Sequence, residues 1–266
     1  MGTGIGVGIA GEVYDLKPGT ATPPPSCTTD YSLEFDGITE FGKSLAGPIL
    51  GTTGAANESF TINVWLKAPV LGINMYIMDA QTSPTPTQPQ GGWALRMLPN
   101  GAVSFRTNGG LGGGSNISVI SAAMTANTWH MISIVVDMTV GAAYAFLDGV
   151  ANPPVNTSNR NWISISNNSF LLGRTGTGGY FNGFMCHLSF WDKGLTASQL
   201  GELYTNNTGK CYVSDFSFSS ALKNYYPTFN PTGTYTDPLT DIVGGVDISL
   251  ANMSSTNVST EHPPQL

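Results

Sequence analysis

The chain has 266 residues, with 17 Asp and Glu against 10 Lys and Arg and a formal charge of -7. That balance speaks against nucleic-acid binding, which needs a basic face to displace phosphate counterions, and an anionic membrane surface repels it for the same reason. No run of 18 apolar residues is present to cross a bilayer, while 33 Gly, 17 Pro and a charged fraction of only 10% fit many turns joining short strands.

Residues 1–12 alternate glycine with small or apolar side chains, which gives neither a helical stripe nor enough bulk for a core. The segment lacks the basic start and Leu-rich centre of a secretory signal, and Gly6 stands where the myristoylation pattern wants Ser or Thr. From Lys17 to Pro25 the sequence KPGTATPPP reads as a stiff, extended spacer. Ile5, Val7, Ile9, Val13 and Tyr14 are then the candidate anchors of a docking arm that orders against a partner; the alternative is a disordered terminus. Cys27, Cys186 and Cys211 form neither a disulfide framework nor a zinc pattern, so free thiols in a reducing cytoplasm are expected. Seven Asn-X-Ser/Thr sites carry little weight without a secretory signal.

From Tyr31 to Asp79 come the first strands, with Phe41 and Trp65 expected as core anchors. Trp93–Leu98 and Ala102–Arg106 flank Pro99-Asn100-Gly101, a hairpin turn. Residues 81–90 and 108–115 are long polar or Gly-rich loops, the kind that sit at the rim of a rigid sandwich and carry binding residues. Trp129–Asp137 and Ala143–Leu147 are strand-like, and the second stops at Asp148-Gly149, the pair that a type I′ turn favours because both central residues need positive φ. Ser169–Arg174 leads into the Gly-rich loop 175–179, and Gly183–Trp191 ends at Asp192-Lys193-Gly194. One helix follows: Thr196 and Gln199 make a capping box, Leu195 and Leu200 a hydrophobic staple, and Leu200, Leu203 and Tyr204 share a face.

The order of these motifs resembles the laminin-G-like domain of the concanavalin-A-like group. Trp129-His130, Leu147-Asp148-Gly149, Leu171-Leu172-Gly173-Arg174, Phe181-Asn182-Gly183 and Phe190-Trp191-Asp192-Lys193-Gly194-Leu195-Thr196 carry it, with Ser32–Gly37 and Phe60–Lys67 upstream. The resemblance covers Tyr31 to Tyr204 and implies an all-β jelly-roll sandwich with one short helix and an extended N-terminal arm. The expected organisation is an arm and linker at 1–30, the jelly roll at 31–205 and a C-terminal β extension at 206–266 packing on the sandwich. The segments at 204–210, 222–226 and 248–253 resemble, more loosely, a tail that follows such domains in virion proteins of tailed phages, particularly marine ones.

Three functions are then open. The first is a virion accessory protein on a capsid or tail, assembled in the host cytoplasm, displayed at the virion surface, bound by its arm to other virion proteins and forming dimers or trimers, since symmetric contacts are the default. The second is a glycan- or receptor-binding module of such a particle, recognising a host-surface glycan. Sugar sites need an aromatic for the ring and amides or charges for the hydroxyls, and Trp93, Trp162, Arg174, Tyr180 and Asn182 flank the expected rim loops. The third is a polysaccharide-active enzyme, which the sequence disfavours: no Glu-X-Asp-X-X-Glu run occurs, and the nearest pair, Glu34 and Asp36, lies in the first-strand motif. The resemblance also implies calcium at one rim, for which Asp36, Asp137 and Asp148 are the candidates. Cys186 stands where the family has an acidic residue, which weakens that implication; alternation places it on one face with Phe184, Leu188 and Phe190 as a buried thiol. Trp129 and Trp191 are expected in the core.

Overall fold

The computed structural model describes residues 31–45, 58–80, 92–107, 116–157, 169–205, 216–227, 235 and 237–263. The anchoring candidates Ile5, Val7, Ile9, Val13 and Tyr14, the ligand candidate Trp162, and the loops 81–90 and 108–115 lie outside these residues.

Sixteen strands and one α-helix occur among the described residues. In chain order they are β1 (Ser32–Asp36), β2 (Phe41–Ser44), β3 (Phe60–Lys67), β4 (Met75–Asp79), β5 (Trp93–Met97), β6 (Ala102–Thr107), β7 (Ser118–Ala123), β8 (Trp129–Asp137), β9 (Ala142–Leu147), β10 (Val150–Ala151), β11 (Val155–Asn156), β12 (Leu171–Leu172), β13 (Asn182–Trp191), α1 (Ala197–Thr205), β14 (Leu222–Tyr226), β15 (Ile248–Ala251) and β16 (Val258–Ser259). A nine-stranded sheet runs β10-β9-β8-β3-β13-β1-β16, with β11 beside β9 and β14 beside β13, and a seven-stranded sheet runs β15-β2-β12-β4-β5-β6-β7. The expected all-β sandwich with a single short helix is present.

Alternation decides what lies between the sheets. Ile62, Val64 and Leu66 of β3 and Ile132, Ile134 and Val136 of β8 face Leu95, Val103 and Phe105 of the opposite sheet, all buried in one continuous core. Trp93 belongs to this core as well. The Asp148-Gly149 turn has φ of 53° and 77°, the positive pair that its sequence predicts.

A second apolar layer covers the other face of the nine-stranded sheet. Trp65, Met131 and Trp191 project outward and are buried beneath Leu200 and Leu203 of α1 and Phe216 and Phe218 of the segment that follows. The capping box forms as expected: Thr196 N donates to Gln199 Oε1 at 2.9 Å and Gln199 N to Thr196 Oγ1 at 3.3 Å. Tyr204 stacks on Trp65 with ring centroids 5.6 Å apart. Downstream, Asp241 ties β14 to the turn after it: its carboxylate accepts from the backbone N–H groups of Tyr225, Val243, Gly244 and Val246 and from Asn224 Nδ2.

The structure corrects three placements. Phe41 is half-buried on the outer side of β2, because Gly42 and Ser44 are the residues of that strand that turn inward. Cys186 is buried, as expected, but on the outer side with Trp65 and Trp191, whereas Leu188 and Phe190 face the core. The reason is a bulge between Cys186 and Ser189, where His187 adopts a φ of 50° and the alternation resets. Trp129 is half-buried at the end of the second layer, against Phe184, while Trp191 is fully buried as expected.

The bulge buries an imidazole. His187 Nδ1 lies 2.7 Å from the Tyr225 hydroxyl and the rings stack, and desolvation pushes the His187 pKa down to about 4. The unfolded chain therefore takes up this proton at a higher pH than the folded one, so the linked stability is intact above about 6.5 and is lost as pH falls toward 4. Urea unfolding is expected to show this as a loss of roughly 2–3 kcal/mol between pH 7 and pH 4.5, with a shallower pH slope in His187→Gln; identical slopes in the two proteins would contradict it.

Candidate functional site

The two outer faces differ. That of the nine-stranded sheet is covered over Trp65, Met131 and Trp191 by α1 and by Phe216 and Phe218, whereas the seven-stranded sheet presents side chains outward with no helix or strand among the described residues laid over them. Register orders that open face. Lys43, Leu171, Asp79, Ala94, Arg106 and Ser118 form one row across the strands, and Tyr76, Arg96, Ser104 and Ile120 a second. Small Ala94 and Ser104 make a floor between larger side chains.

The loop between β12 and β13 supplies one wall. Gly173 N donates to Ile77 O at 2.8 Å, Phe181 N to Gly173 O at 2.8 Å, and Tyr76 N to Gly179 O at 3.0 Å, so both ends of the loop are stitched to β4. Gly173 has a φ of 79°, and a Cβ there would lie 2.4 Å from the Phe35 ring, so only glycine fits. At the centre, Thr175 Oγ1 donates to Asp79 Oδ2. Arg174 packs over two rings: its guanidinium carbon lies 4.4 Å from the Phe41 centroid and 5.3 Å from that of Tyr180. Its Nε donates to Thr175 O at 3.1 Å and one terminal nitrogen to the Tyr180 hydroxyl at 3.3 Å. The side chain is thus preorganised, with donors to spare for a ligand.

Of the ligand candidates read from sequence, Arg174 and Tyr180 come together in this way. Asn182 does not join them: it opens β13 opposite Asp36, its side chain lies along Gly37, and its N–H donates to Met75 Sδ at 3.3 Å. Trp93 is in the core, 5% exposed and packed on Phe105, Phe170 and Phe190, and so unavailable to a sugar. Its position in β5 faces inward; the residues of that strand that face out are Ala94 and Arg96.

The three metal candidates stay apart, each engaged in its own turn. Asp36 Oδ1 accepts from the N–H groups of Ile38, Thr39 and Glu40, and Oδ2 from Thr39 Oγ1. Slight burial raises its pKa, but those bonds outweigh it and hold the carboxyl below the usual range. Asp137 Oδ1 accepts from Thr139 N at 2.9 Å and closes the β8–β9 turn. Asp148 accepts from Met131 N at 2.8 Å and lies 2.7 Å from His130 Nδ1. Because Thr125 N donates to His130 Nε2 at 3.0 Å, the imidazole proton sits on Nδ1 and points at Asp148. The Trp129-His130 and Leu147-Asp148-Gly149 motifs are therefore one structural pair. No group of three His, Cys, Asp or Glu among the described residues converges to hold a metal ion.

Sequence reading missed Tyr76, Asp79, Arg96, Arg106 and Thr175. Alternation in β5 and β6 places Arg96 and Arg106 opposite the core residues, a signal that was available; the Asp79–Thr175 bond spans 96 residues of chain and leaves no local trace.

A family model described as the concanavalin A-like lectin/glucanases superfamily matches residues 47–201. Comparison with curated proteins finds no match. Among solved structures, a Bacteroides ovatus ATCC 8483 protein named as a candidate carbohydrate binding protein is similar at 16% identity and a TM-score of 0.60, covering 86% of this chain and 59% of its own. This chain thus spans less than two thirds of that protein's length. The IT-sialidase CBM40 of Ruminococcus gnavus, solved with α2,3 sialyllactose bound, is similar at 16% identity and a TM-score of 0.52, covering 65% of this chain and 96% of its own.

If the Thr175–Asp79 bond fixes the loop, Thr175→Val frees it: hydrogen exchange at the Tyr76 and Gly178 amides is expected to quicken by about tenfold or more, the worth of a bond to a carboxylate, while β8 amides stay unchanged. Unaltered exchange at Tyr76 and Gly178 would contradict this.

Proposed function

The chain belongs to the concanavalin A-like lectin/glucanases superfamily, and within it we propose that this protein is a carbohydrate-binding module whose ligand lies on the outer face of the seven-stranded sheet. The observation that carries the reading is the Phe41–Arg174–Tyr180 cluster standing beside Asp79, Thr175 and Tyr76 on a sheet face that no described helix or strand covers. Rings for sugar faces, fixed guanidinium and hydroxyl donors, and a buried carboxylate are the groups that sugar hydroxyls need; Phe41, Tyr76 and Asp79 project from strands, and Arg174, Thr175 and Tyr180 from a loop bonded to β4 at both ends, which favours a fixed geometry. The two similar structures, whose names record carbohydrate or sialyllactose, support it through the fold they share.

Binding rather than hydrolysis is supported by the acids. A retaining glycosidase needs two carboxylates about 5 Å apart on one face, and on the described part of this face Asp79 stands without a second one. Glu34 and Asp36 share a face, as alternation predicts, but it is the outer face of the nine-stranded sheet.

The setting we propose is a particle surface, with residues 1–30 as the arm toward other virion proteins and the module repeated in a symmetric oligomer. The order of the segments at 204–210, 222–226 and 248–253 supports this setting.

The test is a glycan array probed with the intact chain and with Tyr76→Ala/Tyr180→Ala. Retention of a glycan by the intact chain and a weakening of about tenfold or more in the variant, the worth of lost ring contacts, is the expected result. No retained glycan, or equal retention by a variant that unfolds at the same temperature, would overturn the proposal.

A further inference from the structure

The cations of this acidic chain are unevenly placed. Seven Lys and Arg are among the described residues: Lys43, Lys67, Arg96, Arg106, Arg174, Lys193 and Lys223. Four of them, Lys43, Arg96, Arg106 and Arg174, belong to the open face of the seven-stranded sheet. Of the other three, two meet acids: Lys67 pairs with Glu261 at 2.7 Å and Lys223 with Asp192 at 3.4 Å. On the open face no ion pair forms among the described residues. The one carboxylate in its cross-strand rows, Asp79, is buried and accepts a hydrogen bond from Thr175 Oγ1.

In a chain with seven more acids than bases, such a face is a local reversal of sign. Like charges on neighbouring strands repel one another, so gathering them with no ion pair among the described residues costs stability. That cost is offset when an anion binds. We infer that the ligand of this face is an extended anionic glycan, bearing sulfate or carboxylate groups on successive sugars and lying across the strands from β2 to β6. The inference rests on the glycan-binding reading of the same face and names its substrate class.

The extent follows from the spacing. Lys43 is on β2 and Arg106 on β6, four strand spacings away along β2-β12-β4-β5-β6, or about 19 Å at about 4.8 Å per strand. A single acidic sugar reaches only one end of that row, whereas a chain of them meets Arg174 and Lys43 at one end and Arg96 and Arg106 at the other. Guanidinium groups suit both candidate anions, since their forked donors match the oxygens of sulfate and carboxylate alike.

Isothermal titration calorimetry tests this with six probes: sulfated oligosaccharides of two and six sugars, oligogalacturonate of the same two lengths, a neutral hexasaccharide, and single-stranded DNA. The expected result is tight binding of at least one anionic hexasaccharide and affinity about tenfold or more lower for its disaccharide. Binding should also weaken as salt rises from low to moderate ionic strength. R96Q/R106Q is expected to lose about tenfold or more of the affinity for the hexasaccharide, as charged hydrogen bonds are removed, while K193Q/K223Q binds as the intact chain does. Which anionic arm binds tells sulfate from carboxylate recognition. If the neutral hexasaccharide binds as tightly as the anionic ones and R96Q/R106Q is without effect, this inference falls and the glycan-binding reading stands. If no glycan binds, both fall. Equal affinity for single-stranded DNA would overturn the inference in favour of unselective anion adhesion.

Discussion

Trp65 and Trp191 point away from the sandwich core, and Leu200 and Leu203 of α1, with Phe216 and Phe218, close over them. A sheet whose two faces are both apolar has to be covered twice, because each large side chain left in water forgoes about 1.5–3 kcal/mol of burial. The helix and the segment after it supply that second cover, and Asp241 holds the segment's strand in place by gathering four backbone N–H groups and one side-chain amide. Among the described residues the seven-stranded sheet carries no second apolar layer. Its outward residues are Ala94, Arg96, Ser104, Arg106 and their neighbours, and no helix or strand among the described residues lies over them.

The sandwich was legible because its elements announce themselves locally. Alternation in β3 and β8, the Asp148-Gly149 turn with its two positive φ values and the capping box of α1 are all encoded within a few residues. What was hidden depends on pairing at a distance or on a break in the period. His187 resets the alternation in β13, which sends Cys186 to the side opposite the one its sequence suggests. Phe41 looked like a core residue because bulky aromatics usually are, yet its neighbours Gly42 and Ser44 take the inward positions so that Leu172, Ile248 and Leu250 can pack closely there.

The candidate site divides in the same way. Arg174 and Tyr180 could be found because they flank a Gly-rich loop, and the two meet as expected. Trp93 and Asn182 were drawn in by the same proximity to loops, and fold position separated them: one faces the core, the other the β1–β2 corner. Asp36, Asp137 and Asp148 were candidates by residue type, but each binds its own backbone turn or a histidine and so is engaged before any ion could be. Asp79, Arg96 and Arg106 acquire meaning only when register sets them on one face.

The most direct test of the account is to ask which face a ligand touches. A two-dimensional NMR titration of the intact chain with a sulfated hexasaccharide follows backbone amides and arginine Nε–H groups together. The account predicts shifts concentrated at Tyr76, Arg96, Arg106 and residues 173–180, with α1 and residues 216–226 silent. Shifts centred on α1 or on Trp129 and Phe184, or none at any position, would contradict it.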